Sequence, residues 1–198
     1  MWPYQSKHLP RATNRIIQGF VEKQHHHIPA ALHALGWTPV LQDQLGPDED
    51  GLEPMRIAAV HRSTMTAFSV GGRVKLSLPA GMTTANFAVG DWVLADPQSH
   101  QITRLLDRHS LLQRQTVGAR QLQLIAANVD TVFIVTSCND DFNPARLERY
   151  LALTNEAGTG AVIVLTKVDQ TPDVAEFERT AAGLQRGLQV VSINGKSQ

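Results

Sequence analysis

Ala161-Val162-Ile163-Val164-Leu165-Thr166-Lys167-Val168-Asp169 is the stretch that decides the fold. An unbroken, largely β-branched apolar run ends abruptly in polar residues. Such a run suits a strand buried on both faces, as in a parallel sheet. Working outward, Asp130-Thr131-Val132-Phe133-Ile134-Val135-Thr136 reads as a second strand of this kind, and Leu188-Gln189-Val190-Val191-Ser192 as a third. Between the first two, Asn143 and Pro144 open a helix as cap and first-turn residue. Leu147, Tyr150, Leu151 and Thr154 follow at helical spacing, and Gly158 ends it. Pro172 and Asp173 start another helix, expected through about Arg186 with Gly187 as its stop. The order strand–helix–strand–helix–strand predicts a parallel α/β unit.

Polar residues at the carboxyl end of a parallel strand lie where open α/β sheets bind ligands. Thr166-Lys167-Val168-Asp169 has the Thr-Lys-x-Asp pattern of the guanine-reading loop of GTPases, with Thr166 where Asn is commoner. A carboxylate at Asp169 accepts from guanine N1–H and the exocyclic amine, a donor pair that adenine lacks. The Lys167 stem is suited to lie along the base while its ammonium reaches solvent or a backbone oxygen. The bland alternative for these residues is a solvated strand-to-helix loop.

Upstream, the texture is different. Met55–His61, Thr64–Val70, Arg73–Leu78, Asp91–Ala95 and His100–Leu106 are five short β-compatible segments, with Gly71-Gly72 expected as a two-residue hairpin turn. Five such strands predict a small antiparallel barrel of the OB type. Lys+Arg and Asp+Glu both total 18, so bulk charge points to no polyanion. Its distribution permits nucleic-acid contact without demanding it: residues 54–118 carry 7 basic and 3 acidic residues, net +4, and the flanks 1–53 and 119–198 are each net −2, a pattern that an ordinary solvated surface also gives. Arg56, Arg62, Arg73, Lys75 and Arg104 are the candidates for an RNA-binding groove. Aromatics are few, and Trp92 is expected in the core, so base stacking gains little support from the sequence.

Residues 1–53 read as an N-terminal extension, with a short helix near Ala30–Leu35 stopped by Gly36, Trp37 and Leu41 as apolar anchors, and an acidic linker over 46–54. Arg108–Gln121 reads as a polar connector. His25-His26-His27 is expected to be solvated: consecutive side chains diverge, and no carboxylate or cysteine lies close by. Cys138 is the single cysteine, so no intrachain disulfide or cysteine-rich zinc site is available. No run approaches membrane-span length and the N-terminus lacks a secretion signal's apolar core, so a cytoplasmic protein is expected.

No Gly-x-x-x-x-Gly-Lys-Ser/Thr phosphate loop lies in residues 1–198. Gly195-Lys196-Ser197 has the last letters of one, but Val190 stands where its first glycine should be. A base-reading loop ahead of any phosphate loop fits a circularly permuted GTPase. The order of barrel and permuted domain resembles the ribosome-small-subunit-dependent GTPase A family. The residues that carry the likeness are Val89-Gly90-Asp91-Trp92-Val93, Leu124 through Val135, Asp141 through Leu151, Thr166 to Asp169, and Val191-Ser192.

The resemblance implies a late-acting ribosome biogenesis factor that binds and hydrolyses GTP and docks on 16S rRNA of the small (30S) ribosomal subunit through the barrel. It implies guanine contacts from Thr166, Lys167, Asp169, Ser192 and Ile193, and a cytoplasmic monomer. It places 1–53 as extension, 54–118 as the rRNA-binding barrel, and 119–198 as the base-binding half of a GTPase domain that stops before the phosphate loop. GTP with Mg2+ belongs to the intact family protein, and a Zn2+ site only to the family's C-terminal part. By itself this chain is expected to hydrolyse no GTP, and no catalytic or metal-ligating residue is assigned in it. The chief alternative is an OB-fold RNA-binding module with a non-catalytic α/β remnant. A weaker one is an unrelated two-domain protein.

Overall fold

The computed structural model describes residues 29–115 and 122–196. The triple histidine and Ser197 lie outside the described residues. The chain divides into two units, Met1–Trp37 and Thr38–Gln198. In the first, helix α1 (Ala30–Ala34) is closed by Gly36 at φ 89°, and Leu32 and Trp37 are buried. The left-handed conformation at Gly36 is the one glycine adopts without a side-chain penalty.

The second unit opens with α2 (Pro39–Gln42), capped by the Thr38 hydroxyl. Five strands follow: β1 (Glu53–Val60), β2 (Met65–Ser69), β3 (Gly72–Leu76), β4 (Trp92–Ala95) and β5 (Ile102–Leu105). They pair antiparallel in the order β3-β2-β1-β4-β5. A parallel bridge between Ser77 and Gln101, with hydrogen bonds of 2.9 and 3.0 Å, joins the ends of the β3 and β5 segments and closes the sheet on itself. This is the five-stranded barrel the segments predict. Alternate side chains enter it, with Met55, Ile57, Met65, Ala67, Val93 and Ile102 at its core. The β2–β3 turn is Val70-Gly71, one residue earlier than expected: Gly72 at φ 117° already pairs with Ser69.

Two regions read as irregular are built into the structure. The acidic segment forms a 3-10 turn at Pro47–Glu49, and Glu49 grips Arg104 through two 2.7 Å bonds. Arg104 also donates to the Gln44 carbonyl (2.8 Å), so this linker is tied to the barrel. The expected connector over Arg108–Gln121 contains strand β6 (Leu111–Gln115), which pairs antiparallel with β7 (Leu122–Ala127). Leu112 and Ala127 are their buried residues. Pairing completes them as strands where little of either face is buried.

The parallel sheet comprises β8 (Thr131–Ser137), β9 (Gly160–Thr166) and β10 (Gln189–Ser192), ordered β10-β9-β8. Helices α3 (Pro144–Glu156) and α4 (Val174–Gly183) pack on one face, enclosing Ile134, Leu147, Leu151, Ile163, Leu165 and Ala181. Asn143 and Asp173 cap them through their carboxamide and carboxylate oxygens. Tyr150, expected on the apolar stripe, is 50% exposed. Helix α4 stops three residues short of Arg186, at Gly183, a poor helix former. The expectation of burial on both faces fails. The opposite ladder, Phe133–Val162 and Val135–Val164–Val191, carries Phe133 at 67% and Val135 at 63% exposure, and no described residue covers it.

The barrel meets the α/β part at a close-packed junction. Gly90 at φ 91° lies so near Ala127 that a Cβ on it would fall 2.2 Å from the Ala127 carbonyl oxygen. Ala127 N–H donates to the Val89 carbonyl (2.8 Å). The buried Asn128 side chain donates to the Gly90 carbonyl (3.0 Å) and accepts from His109 N–H (3.1 Å), and its own carbonyl accepts from Arg56 (3.1 Å). Beside it Asp91, fully buried, holds Arg108 in a bidentate pair at 2.7 Å and accepts from Ala88 N–H. The Asp91 bonds raise the Arg108 guanidinium pKa, a shift that burial opposes.

Candidate functional site

Parallel pairing of β9 with β10 sets Ser192 opposite Leu165, so the loops after both strands leave the sheet side by side. Thr166 ends β9, and its hydroxyl donates to the Thr136 carbonyl of β8 (3.0 Å). Cys138 N–H in turn donates to the Thr166 carbonyl (2.9 Å). These two bonds fix where the chain leaves the sheet. Lys167 then takes a left-handed conformation, φ 54°, and opens a 3-10 turn over Val168–Gln170. A non-glycine residue in that region is uncommon, and its strain is held by the surrounding bonds. The reversal lifts Asp169 to the carboxyl rim of the sheet, where its side chain is 31% exposed.

The second loop approaches from β10. Ile193 N–H donates to the Leu165 carbonyl (2.8 Å), which extends the parallel ladder by one residue. Ser192 Oγ donates to the Glu178 carboxylate on α4 (2.5 Å). Asn194 Oδ1 accepts from Lys196 N–H (3.0 Å), and this turn carries Lys196 Nζ to 3.2 Å from Asp169 Oδ2. The structure therefore brings together all five residues assigned to guanine: Thr166, Lys167 and Asp169 on one loop, Ser192 and Ile193 on the other.

Three participants escaped the sequence reading. In sequence Lys196 belongs only to an incomplete phosphate-loop pattern, and its place beside Asp169 follows from strand order. Glu178 orients Ser192 from a different element. Asn139, after β8, accepts from Ser137 Oγ (2.7 Å) and donates to Gln170 (3.2 Å), bracing the Asp169 turn. Cys138 is buried beneath this rim; burial first, and the nearby Glu178 charge second, raise its thiol pKa and leave it a poor nucleophile.

The five barrel cations do not form one groove. Arg104 is engaged by Glu49. Its hydrogen bonds first, and the Gly46 N–H second, hold the Glu49 carboxyl below the usual carboxylate range. Arg56 is half-buried over the Trp92 ring, 5.9 Å from its centroid, and bonded to Asn128; burial lowers its pKa while Asp130 opposes the shift. Arg62, Arg73 and Lys75 are exposed, the first on the β1–β2 loop and the other two on β3. Among the described residues no cluster of three or more His, Cys, Asp or Glu is placed to hold a metal ion, and no helix is long and apolar enough to cross a membrane.

Residues 105–198 match the family model for RsgA GTPase. The chain is 53% identical over 164 residues to the small ribosomal subunit biogenesis GTPase RsgA of Mesorhizobium japonicum, covering 83% of this chain and 47% of that protein. It is 45% identical over 166 residues to small ribosomal subunit biogenesis GTPase RsgA 2 of Vibrio parahaemolyticus, covering 83% and 46%. The chain thus spans about half the length of the curated relatives it matches. Among solved structures, YjeQ from Thermotoga maritima superposes with a TM-score of 0.57 at 20% identity, covering 73% of this chain and 52% of that one. YloQ, a circularly permuted GTPase, gives 0.53 at 18% identity, covering 78% and 55%. At these identities the structural likeness speaks for the fold.

Proposed function

We propose that this chain, whose residues 105–198 match the RsgA GTPase family and which is 53% identical to a relative of that name, is a member of that family and supplies the guanine-reading rim and the RNA-docking barrel of a GTPase acting in late maturation of the small ribosomal subunit in the cytoplasm. The observation that carries the guanine reading is the convergence of the Thr166–Asp169 and Ser192–Lys196 loops on one edge of the sheet, with the Asp169 carboxylate open to solvent and answered only by Lys196 among the described residues.

In this reading Asp169 accepts from the N1–H and amine of guanine, and Lys196 gives way as the base arrives. The Lys167 stem lies against the ring face, and the left-handed turn at Lys167 sets the angle between it and Asp169. Thr166 ties the loop to β8, and the backbone near Ser192 and Ile193 faces guanine O6. The phosphate cradle and Mg2+ ligands of such a site are not among residues 1–198. Phosphoryl transfer rests on positioning and charge stabilisation by those parts, so hydrolysis is assigned to the whole protein and not to this chain. The partners proposed are the small ribosomal subunit and its 16S rRNA, met by the protein as a monomer.

The test is specificity. In a chain that also carries the phosphate loop, Asp169→Asn is expected to weaken GTP by roughly 2–4 kcal/mol, as for other broken charge-assisted pairs. The same change is expected to favour xanthosine triphosphate, whose oxygen replaces the guanine amine and accepts from an amide. Lys167→Ala is expected to weaken both nucleotides. Unchanged GTP affinity in Asp169→Asn would reduce Thr166–Asp169 to an ordinary loop.

A further inference from the structure

The barrel's charge is sorted by the fold in a way the sequence does not show. From Pro54 to Gly90 the chain has four basic residues, Arg56, Arg62, Arg73 and Lys75, and no acidic one. Arg56 is half-buried over the Trp92 ring. The other three remain outside, two of them on β3. On the outward side of the β2–β3 pair, Phe68 lies opposite Arg73, and Thr66 opposite Lys75. Phe68 is 40% exposed, the most open aromatic ring of the barrel. The Arg73 guanidinium carbon stands 5.9 Å from its ring centroid, and Arg73 Nη2 donates to Thr66 Oγ1 (3.3 Å). The Lys75 and Arg62 side chains make no hydrogen bond or ion pair among the described residues.

From this arrangement we propose that the outward face of β2 and β3 is a stacking site for an unpaired RNA base, with Phe68 as the platform and Arg73 and Lys75 as phosphate contacts. The inference rests on the reading that the barrel docks on RNA, and it names the residues and the strandedness of the ligand. A barrel core has no use for a phenyl ring on its wet side, where burial contributes little. A base has a π-face that such a ring accepts whatever its sequence. Guanidinium groups also stack on bases while they pair with phosphate. The face presents the cations Arg73 and Lys75, and the carboxylate at its turn, Glu53, accepts from the Val70 N–H (3.1 Å). Duplex RNA keeps its bases stacked on one another, so it offers Phe68 no free face; the ligand is a single-stranded loop or end. Arg104 and Arg56, engaged with Glu49 and Asn128, take no part.

The experiment is fluorescence anisotropy of the full chain with a labelled, unstructured RNA of about 12 nucleotides and with a duplex of the same length, at several salt concentrations. Phe68→Ala is expected to lower single-strand affinity about tenfold, and Phe68→Tyr to keep it within about twofold. Arg73→Ala and Lys75→Ala should each reduce the slope of log affinity against log salt by about 0.7–1. Arg104→Ala should leave that slope unchanged. The Phe68 side chain lies outside the barrel core, and an unaltered near-ultraviolet circular dichroism spectrum for the remaining aromatics checks that each variant keeps its fold. RNA binding that is indifferent to Phe68→Ala, or equal for duplex and single strand, overturns the stacking site and leaves the docking reading standing. Failure of the wild-type chain to bind either RNA removes both.

Discussion

The barrel and the parallel sheet are built from similar amounts of chain, yet they treat water differently. The barrel closes on itself, and its interior side chains have no wet alternative. The three-stranded sheet buries one face under α3 and α4 and leaves Phe133, Val135 and Val191 in solvent. Both regions are apolar in sequence. The difference teaches that apolar patterning specifies a strand and its pleat, while closure or cover decides whether that strand is stable. A closed antiparallel sheet has few unpaired edges, whereas a three-stranded parallel one keeps two edges and a face for which nothing in the described residues substitutes.

The largest test of that contrast is a matched pair of truncations. Ile57→Ala removes a fully enclosed side chain from the barrel and is expected to cost about 3–4 kcal/mol in chemical denaturation. Phe133→Ala deletes a larger side chain from the open face and should cost less than about 0.5 kcal/mol. Comparable losses would mean that the open face is covered in solution.

The junction can be broken without touching either core. Gly90→Ala forces a Cβ against the Ala127 carbonyl at a positive φ and is expected to destabilise by about 3 kcal/mol. The signature is faster amide exchange at Ala127 and Asn128, whose N–H groups bond to Val89 and Ser110. A stability loss without that local signature would place the strain elsewhere.

Hydrogen exchange sharpens the comparison in the wild-type chain. Amides of β9 and β10 are expected to open about 30-fold more readily than those of β1 and β4, a gap of about 2 kcal/mol. Equal and high protection in both regions would contradict the account of the open sheet.

Two smaller effects probe single groups. Thr136 Oγ1 is buried with no hydrogen-bond partner among the described residues. Thr136→Val, which replaces that hydroxyl with a methyl of similar size, should stabilise the sheet by about 0.5–1 kcal/mol, measured as a shift in denaturation midpoint. On the barrel side, the Glu49 carboxyl pKa is depressed in the folded chain. Its contribution is therefore fully present above the ordinary carboxylate range and is lost as pH falls below that range through the lowered folded value. The Arg104 side-chain Nε–H resonance, followed by NMR during acidification, should lose its hydrogen-bonded shift there while the parallel sheet is unaffected. An Arg104 signal constant to lower pH would deny Glu49 that role.

The sequence by itself determined the five short strands, the three parallel ones and the helix caps at Asn143 and Asp173, and it marked out the two loops proposed to read the base. These are local matters: a period, a cap or a punctuating glycine acts over a few residues. Strand order and pairing were decided only in the tertiary structure. They made β6 and β7 a ribbon across a segment that reads as a polar connector. They set Lys196 beside Asp169 across 27 residues of chain, and Glu49 on Arg104 across 55. They also divided five similar cations into two tied to Glu49 or Asn128 and three left exposed. A residue's charge and shape are written in the chain, but its partner is not: pairing depends on which distant backbones the hydrogen-bond ladders bring within a few ångströms.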